Sequence, residues 1–139
     1  MRVIERTAIM SIKNTATFEY TNTHPSQIKT LGDCVFRAIS IATGKTWLEV
    51  YDDFCELGRT LIAPPTDMVT LKTYLDRRAN RVEVIVNRKR LTGADLAKRK
   101  DGKTYVIRTA RHVATIKDGK VRDTWDSGSK SGYIIWELR

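Results

Sequence analysis

Cys34, His112 and Asp123 are the residues of this chain whose types and spacing could do chemistry. Cys34 opens an apolar run, CVFRAISIAT over Cys34 to Thr43, in which Arg37 is the only charge and Gly44 a natural stop. Such a run predicts a buried helix. A thiol at a helix N-terminus is easier to ionise, because the dipole and the free N–H groups favour thiolate. That makes Cys34 a candidate nucleophile. Cys55 falls in the middle of a second helical pattern, on a stripe with Trp47 and Phe54, where an inert buried thiol is expected.

The partners for such a thiol lie far along the chain. Asp118-Gly119 sits between two alternating segments, and this dipeptide supplies the positive φ that both central positions of a type I′ hairpin turn need. The turn sets the register. With Lys117 opposite Lys120, His112 lies opposite Trp125 and Ala114 opposite Asp123. One face then carries His112, Ala114, Ile116, Val121, Asp123 and Trp125, and is expected to be the buried one. A buried carboxylate needs a partner, and His112 is the nearest for Asp123. The expected geometry has Asp123 holding the Nδ1 proton while Nε2 serves as a general base. Two other readings stay open: a satisfied core His–Asp pair with no catalytic role, and Asp126 as the alternative third member, brought back by a twist at Ser127-Gly128. Trp125 could shield the pair from water or be a core residue.

These residues need elements to hold them. The pattern predicts a short strand over Ala16 to Tyr20, a loop from Thr21 to Leu31, and helices over Cys34–Thr43, Thr46–Leu57, Asp67–Ala79 and Gly93–Lys100. Period-two segments at Val82–Val86, Thr104–Thr109, His112–Ile116, Val121–Trp125 and Tyr133–Leu138 read as strands. Helices followed by a run of strands imply an α+β domain: helices within about residues 33–79, packed on a C-terminal antiparallel sheet within about residues 82–138. At 139 residues, one domain spanning the whole chain is expected.

Composition narrows the setting. Met1 to Ser11 never reaches the apolar run of a signal peptide or membrane helix, so no targeting segment and no membrane association are expected, and the chain reads as cytoplasmic. Two cysteines make no disulfide framework, so both are expected to be free. The net charge of +9 is unevenly placed, with 15 Lys or Arg against 4 acids in residues 77–122. Such a half can hold an acidic protein or nucleic acid, or simply form a solvated basic surface. Its runs, Arg77-Arg78, Arg88-Lys89-Arg90 and Lys98-Arg99-Lys100, contain no aromatic for base stacking, so a single-strand binding site is not expected. A zinc site would have to recruit Cys34, Cys55, His24 and His112 without any CxxC or HxxxH spacing, and no nucleotide-binding glycine motif is present. Neither metal nor cofactor is expected.

GDCVFRAIS at Gly32 to Ser40, followed much later by a strand beginning RHVATI and a return ending RDTWDS, resembles the papain-like cysteine peptidase clan. The nucleophile segment alone is similar to the otubain-type motif, Asp-Gly-Asn-Cys-Leu-Phe-Arg-Ala, with Leu31 where that motif has an Asp. Ala114 likewise stands where many otubain-type sequences place a polar residue. The order of His and Asp on successive strands resembles the bacteriocin-processing peptidases and related phage and bacterial proteins. The likeness spans roughly Gln27 to Trp136 and is sharp only around the Cys. It implies a papain-like fold and a Cys-His-Asp triad of Cys34, His112 and Asp123 that cleaves an amide or isopeptide bond of a polypeptide substrate. It also implies a Gln oxyanion donor about six residues before the Cys; Ile28 stands there, and Gln27 is the nearest candidate. An acyltransferase with the same triad, or an inactive fold serving as a basic binding or inhibitory protein, fits the same residues.

Overall fold

The computed structural model describes residues 13–139; the opening stretch Met1 to Ser11, read above as free of a targeting segment, lies outside them. In chain order the elements are β1 (Phe18–Tyr20), α1 (Cys34–Thr43), α2 (Trp47–Leu61), α3 (Met68–Asp76), β2 (Ala79–Val82), β3 (Ile85–Val86), β4 (Lys89–Arg90), α4 (Gly93–Arg99), β5 (Tyr105–Thr109), β6 (His112–Lys117), β7 (Lys120–Asp123) and β8 (Ile134–Leu138). This is an α+β arrangement. Among the described residues no helix is long and apolar enough to cross a membrane.

Local chemistry sets the helix ends. Thr46 and Glu49 form a reciprocal capping box at the start of α2, and Thr92 and Asp95 do the same for α4, each satisfying two N–H groups that the helix cannot. Asp67 caps α3 through Val69 N. Gly44 ends α1 in the left-handed region and donates its N–H to Ser40 O, the conformation glycine adopts without strain.

Six strands form one sheet in the order β1-β7-β6-β5-β8-β2. The turn between β6 and β7 has Asp118 at φ 53° and Gly119 at φ 70°, and Lys117 pairs with Lys120, as the dipeptide predicts. The antiparallel expectation fails at one edge. β1 runs parallel to β7, with Phe18 opposite Val121 and Tyr20 opposite Asp123, so the sheet is mixed; β1 comes from before the helices and meets β7 only through the tertiary fold. The strand expected over Val82–Val86 is also divided. β2 ends at Val82, and Ile85–Val86 pairs instead with Lys89–Arg90 in a separate two-stranded ribbon, because Asn87 and Arg88 both adopt positive φ and close a two-residue turn there.

Both sheet faces are covered. Val106, Val113 and Trp136 face α1, α2 and α3 in one core that holds Phe36, Ile39, Phe54, Leu71 and Tyr74. Tyr105, Ile107, Ala114, Ile116 and Val121 form a second core with Phe18 and with Leu96 and Ala97 of α4. The expectation of one buried hairpin face therefore needs correction: Val113 and Thr115, on the supposedly outer face, are buried, and Thr115 Oγ1 donates to Ala38 O of α1 at 2.5 Å.

The close of α2 offers a test of this packing. Glycine inside a helix ordinarily costs about 1 kcal/mol relative to alanine, but a Cβ on Gly58 would lie 2.6 Å from the backbone oxygen of Ala63. Gly58→Ala should therefore lower the midpoint of urea unfolding, opposite in sign to the propensity effect. An unchanged or raised midpoint would contradict this packing of the chain after α2.

Candidate active site

Three elements converge on Cys34. It is the first residue of α1, half-buried, after Asp33 at the N-cap. Asp33 places no side-chain oxygen on the first turn of the helix. Its carboxylate instead accepts from Trp47 Nε1 at 2.9 Å and pairs with Arg37 one turn later, so it does not occupy the first-turn N–H groups. His112 opens β6, and Asp123 ends β7. The structure brings Cys34, His112 and Asp123 together: the thiol is in hydrogen-bonding reach of the His112 ring and of the Val113 N–H, and His112 Nε2 lies 2.5 Å from Asp123 Oδ2.

The ring is turned the other way round from the sequence expectation. Asp123 holds Nε2, which leaves Nδ1 for the thiol. The reason is reach. In the hairpin register Asp123 is two residues off the position opposite His112, a diagonal of roughly 7–8 Å in an antiparallel pair, and the far nitrogen of the imidazole spans it more readily than the near one.

Asp123 is 3% exposed and its oxygens are well partnered. Ser127 Oγ donates to Oδ2 at 2.8 Å and the Thr124 N–H to Oδ1 at 2.7 Å. Arg37 Nη2 approaches Oδ1 at 3.7 Å. Arg37, itself 5% exposed, thus links the N-cap residue of the Cys34 helix to the carboxylate that orients His112, and its Nε has no partner among the described residues. Sequence reading missed Arg37, Asp33 and Ser127. The i,i+4 spacing of Asp33 and Arg37 was the available signal; that of Ser127 was none, since its contact depends on how the chain turns after β7.

Trp125 rests against His112 with ring centroids 4.9 Å apart and is 42% exposed. It is therefore a partial cover over the imidazole, and the alternative of a core tryptophan is corrected. Asp126 is exposed and accepts from the Gly128 N–H. It is not joined to His112. Gln27 is exposed, and its amide Nε2 donates to the carbonyls of Asn22 at 2.9 Å and His24 at 3.0 Å. That occupies both protons that an oxyanion donor would offer. His24 packs on Trp47 and accepts from the Ser26 N–H, whereas Cys55 lies on α2. Among the described residues no three potential ligands gather into a metal-binding group.

The electrostatics favour an ion pair. Burial works to raise the Cys34 pKa, but the hydrogen bonds from His112 and Val113 and the charges of His112 and Arg37 outweigh it, so the thiol lies below its ordinary value of 9.0. Burial likewise opposes the His112 cation, yet the bonds to Asp123 and Cys34 overcome it and lift the pKa from 6.5 to about 9. The thiol is lowered and the imidazole raised, so both shifts run in the direction that moves the shared proton from Cys34 toward His112.

No family model matches the chain, and no curated protein or solved structure is significantly similar to it.

His112 and His24 are the two histidines of the chain, which makes a titration by NMR direct. The raised His112 pKa means its protonated form is favoured by folding below about 6.5 and lost as pH rises through about 9. Asp123→Asn removes the first of the interactions that raise it. The His112 ring resonance should then titrate at clearly lower pH than in the unaltered protein. Equal midpoints would show that Asp123 does not support the imidazolium.

Proposed function

We propose that this chain is a thiol hydrolase of papain-like arrangement that attacks an amide or isopeptide carbonyl of a polypeptide through Cys34. The observation that carries the reading is the single line of contacts from a helix-start thiol, through one nitrogen of His112, to a buried carboxylate on the other. The sequence likeness to the papain-like clan supports it, and the α+β layout with a Cys-bearing helix laid on the His-bearing strand is compatible with it.

In this reading the thiolate of Cys34 forms the bond to the carbonyl carbon. The oxygen takes up the displaced electron pair and is met by the open N–H groups of the first turn of α1, since Gln27 is engaged elsewhere. His112 gives its proton to the amine as the C–N bond breaks, leaving a thioester. Water, losing a proton to His112, then attacks the thioester, the C–S bond breaks, and the acid is released with Cys34 again a thiolate beside the protonated His112. An amine in place of that water gives acyl transfer by the same groups. Trp125 limits water around the imidazole.

A second reading is a binding protein that uses its basic surface. It is favoured by the arginines outside α1: among the described residues Arg77, Arg78, Arg88, Arg90, Arg108 and Arg111 form no salt bridge, as a surface awaiting anionic partners would have.

Alkylation separates the two. Because His112 and the helix start favour the thiolate of Cys34, Cys34 should react with iodoacetamide at neutral pH at least about tenfold faster than Cys55. His112→Ala should remove that advantage. Hydrolysis of a peptide library should vanish in Cys34→Ala, with a rate that falls above about pH 9 as His112 loses its proton, while alkylation persists there because the thiolate remains. A Cys34 that reacts no faster than Cys55 and ignores His112→Ala would leave the binding reading standing.

A further inference from the structure

The basic runs of the sequence hold no aromatic residue, but the fold brings one to them. Tyr133, 49% exposed, lies within reach of two guanidinium groups, with Arg90 and Arg108 each 5.8 Å from its ring centre. The ring comes from the segment before β8 and the arginines from β4 and β5. Backbone bonds hold the three in place: Tyr133 N–H donates to Arg108 O at 2.7 Å and Gly132 N–H to Leu91 O at 2.8 Å. Arg90 also donates to Gly132 O at 2.9 Å, and Arg108 Nε to Met68 Sδ at 3.2 Å. Each guanidinium is therefore anchored by an uncharged acceptor, keeps further N–H donors, and meets no carboxylate among the described residues.

The ribbon of β3 and β4 extends this surface. Val86 to Arg90 are all exposed, and the turn at Asn87-Arg88 sets Arg88, Lys89 and Arg90 along a two-stranded arm whose alternating side chains present cations on both faces. Apolar Ile85 and Val86 are exposed beside them.

We propose that Arg90, Tyr133 and Arg108, with the β3–β4 ribbon, form a binding site for single-stranded nucleic acid. Unpaired guanidinium groups suit phosphates, and a half-exposed ring beside them suits an unstacked base. An acidic polypeptide would use the cations but has no need of the ring. A duplex, whose bases are already stacked, would leave the ring unused as well. The site flanks the Cys34 centre, because Arg108 pairs with Val113, the neighbour of His112, but it does not depend on that centre turning over a substrate.

Fluorescence anisotropy with labelled dT20, a 20-base-pair duplex and a polyglutamate peptide tests it in the full chain. The expected order is dT20 tightest, with an affinity that falls steeply with salt. Tyr133→Ala should weaken dT20 binding roughly 5- to 150-fold, the range for loss of one stacked base, while Tyr133→Phe retains it. Arg90→Gln should flatten the salt dependence by about one counterion. Circular dichroism of each variant separates lost binding from lost fold. No binding of dT20, duplex or polyglutamate bound at least as tightly, or indifference of a folded Tyr133→Ala would each overturn the proposal.

Discussion

The arrangement around Cys34 depends on one constraint, the burial of Asp123. A carboxylate cut off from water is costly unless its lone pairs are met, and here they are met from four directions: His112, Ser127, the Thr124 N–H and, more distantly, Arg37. Each partner fixes something else. His112 is held with one ring nitrogen turned toward the thiol. Ser127 ties the chain after β7 back to Asp123, and Trp125 of that stretch rests against His112. Arg37 ties the same carboxylate to Asp33, the residue that begins the helix of the nucleophile. The charges alternate along this line, so removing one member strands its neighbours, and the loss exceeds that of a single contact.

Asp33 shows how the line shapes the thiol. An aspartate at the N-cap normally turns back to accept from the first turn. This one does not, because Arg37 and Trp47 take both of its oxygens. The helix N-terminus is left uncapped on the side where an anion is wanted, and the cost to helix stability is offset by a buried ion pair and by Trp47, which stacks on Tyr51 and meets Phe36 edge-on. An open helix start and a nearby imidazolium act in the same direction on Cys34.

What the sequence made legible was local. The Asp-Gly turn needs positive φ at two adjacent positions, and that alone sets the β6–β7 register and puts His112 and Asp123 on one face. The apolar run from Cys34 to Gly44 and the capping residues Thr46 and Thr92 likewise state their own structure. What stayed hidden depends on residues far apart in the chain. Phe18 meets Val121 in a parallel pair that no periodicity encodes. Val113 and Thr115 alternate like an outward face, yet α1 covers them. The segment Val82–Val86 has the composition of one strand, and only the left-handed pair Asn87 and Arg88 divides it between two sheets. The orientation of the His112 ring was misjudged for a related reason: register gives the face and the diagonal, but not which end of a side chain spans it.

The nucleophile and its proton partner belong to different layers, so their separation is a matter of how a helix sits on a sheet. α1 is docked on β6 by apolar contacts and by two polar ones, Thr115 Oγ1 to Ala38 O at 2.5 Å and Lys117 Nζ to Ile41 O at 3.1 Å. Each joins a β6 side chain to a carbonyl of the helix, and Val113 packs in the same core as Val35, Phe36 and Ile39 near the helix start. Val113, Thr115 and Lys117 alternate along one side of the strand, and together they fix both the rotation of α1 and its position along β6. Misplacing a reacting atom by about 1 Å can cost on the order of 100-fold in rate. The strand that carries His112 therefore also sets the depth of Cys34, and the two groups that must share a proton are positioned by one element.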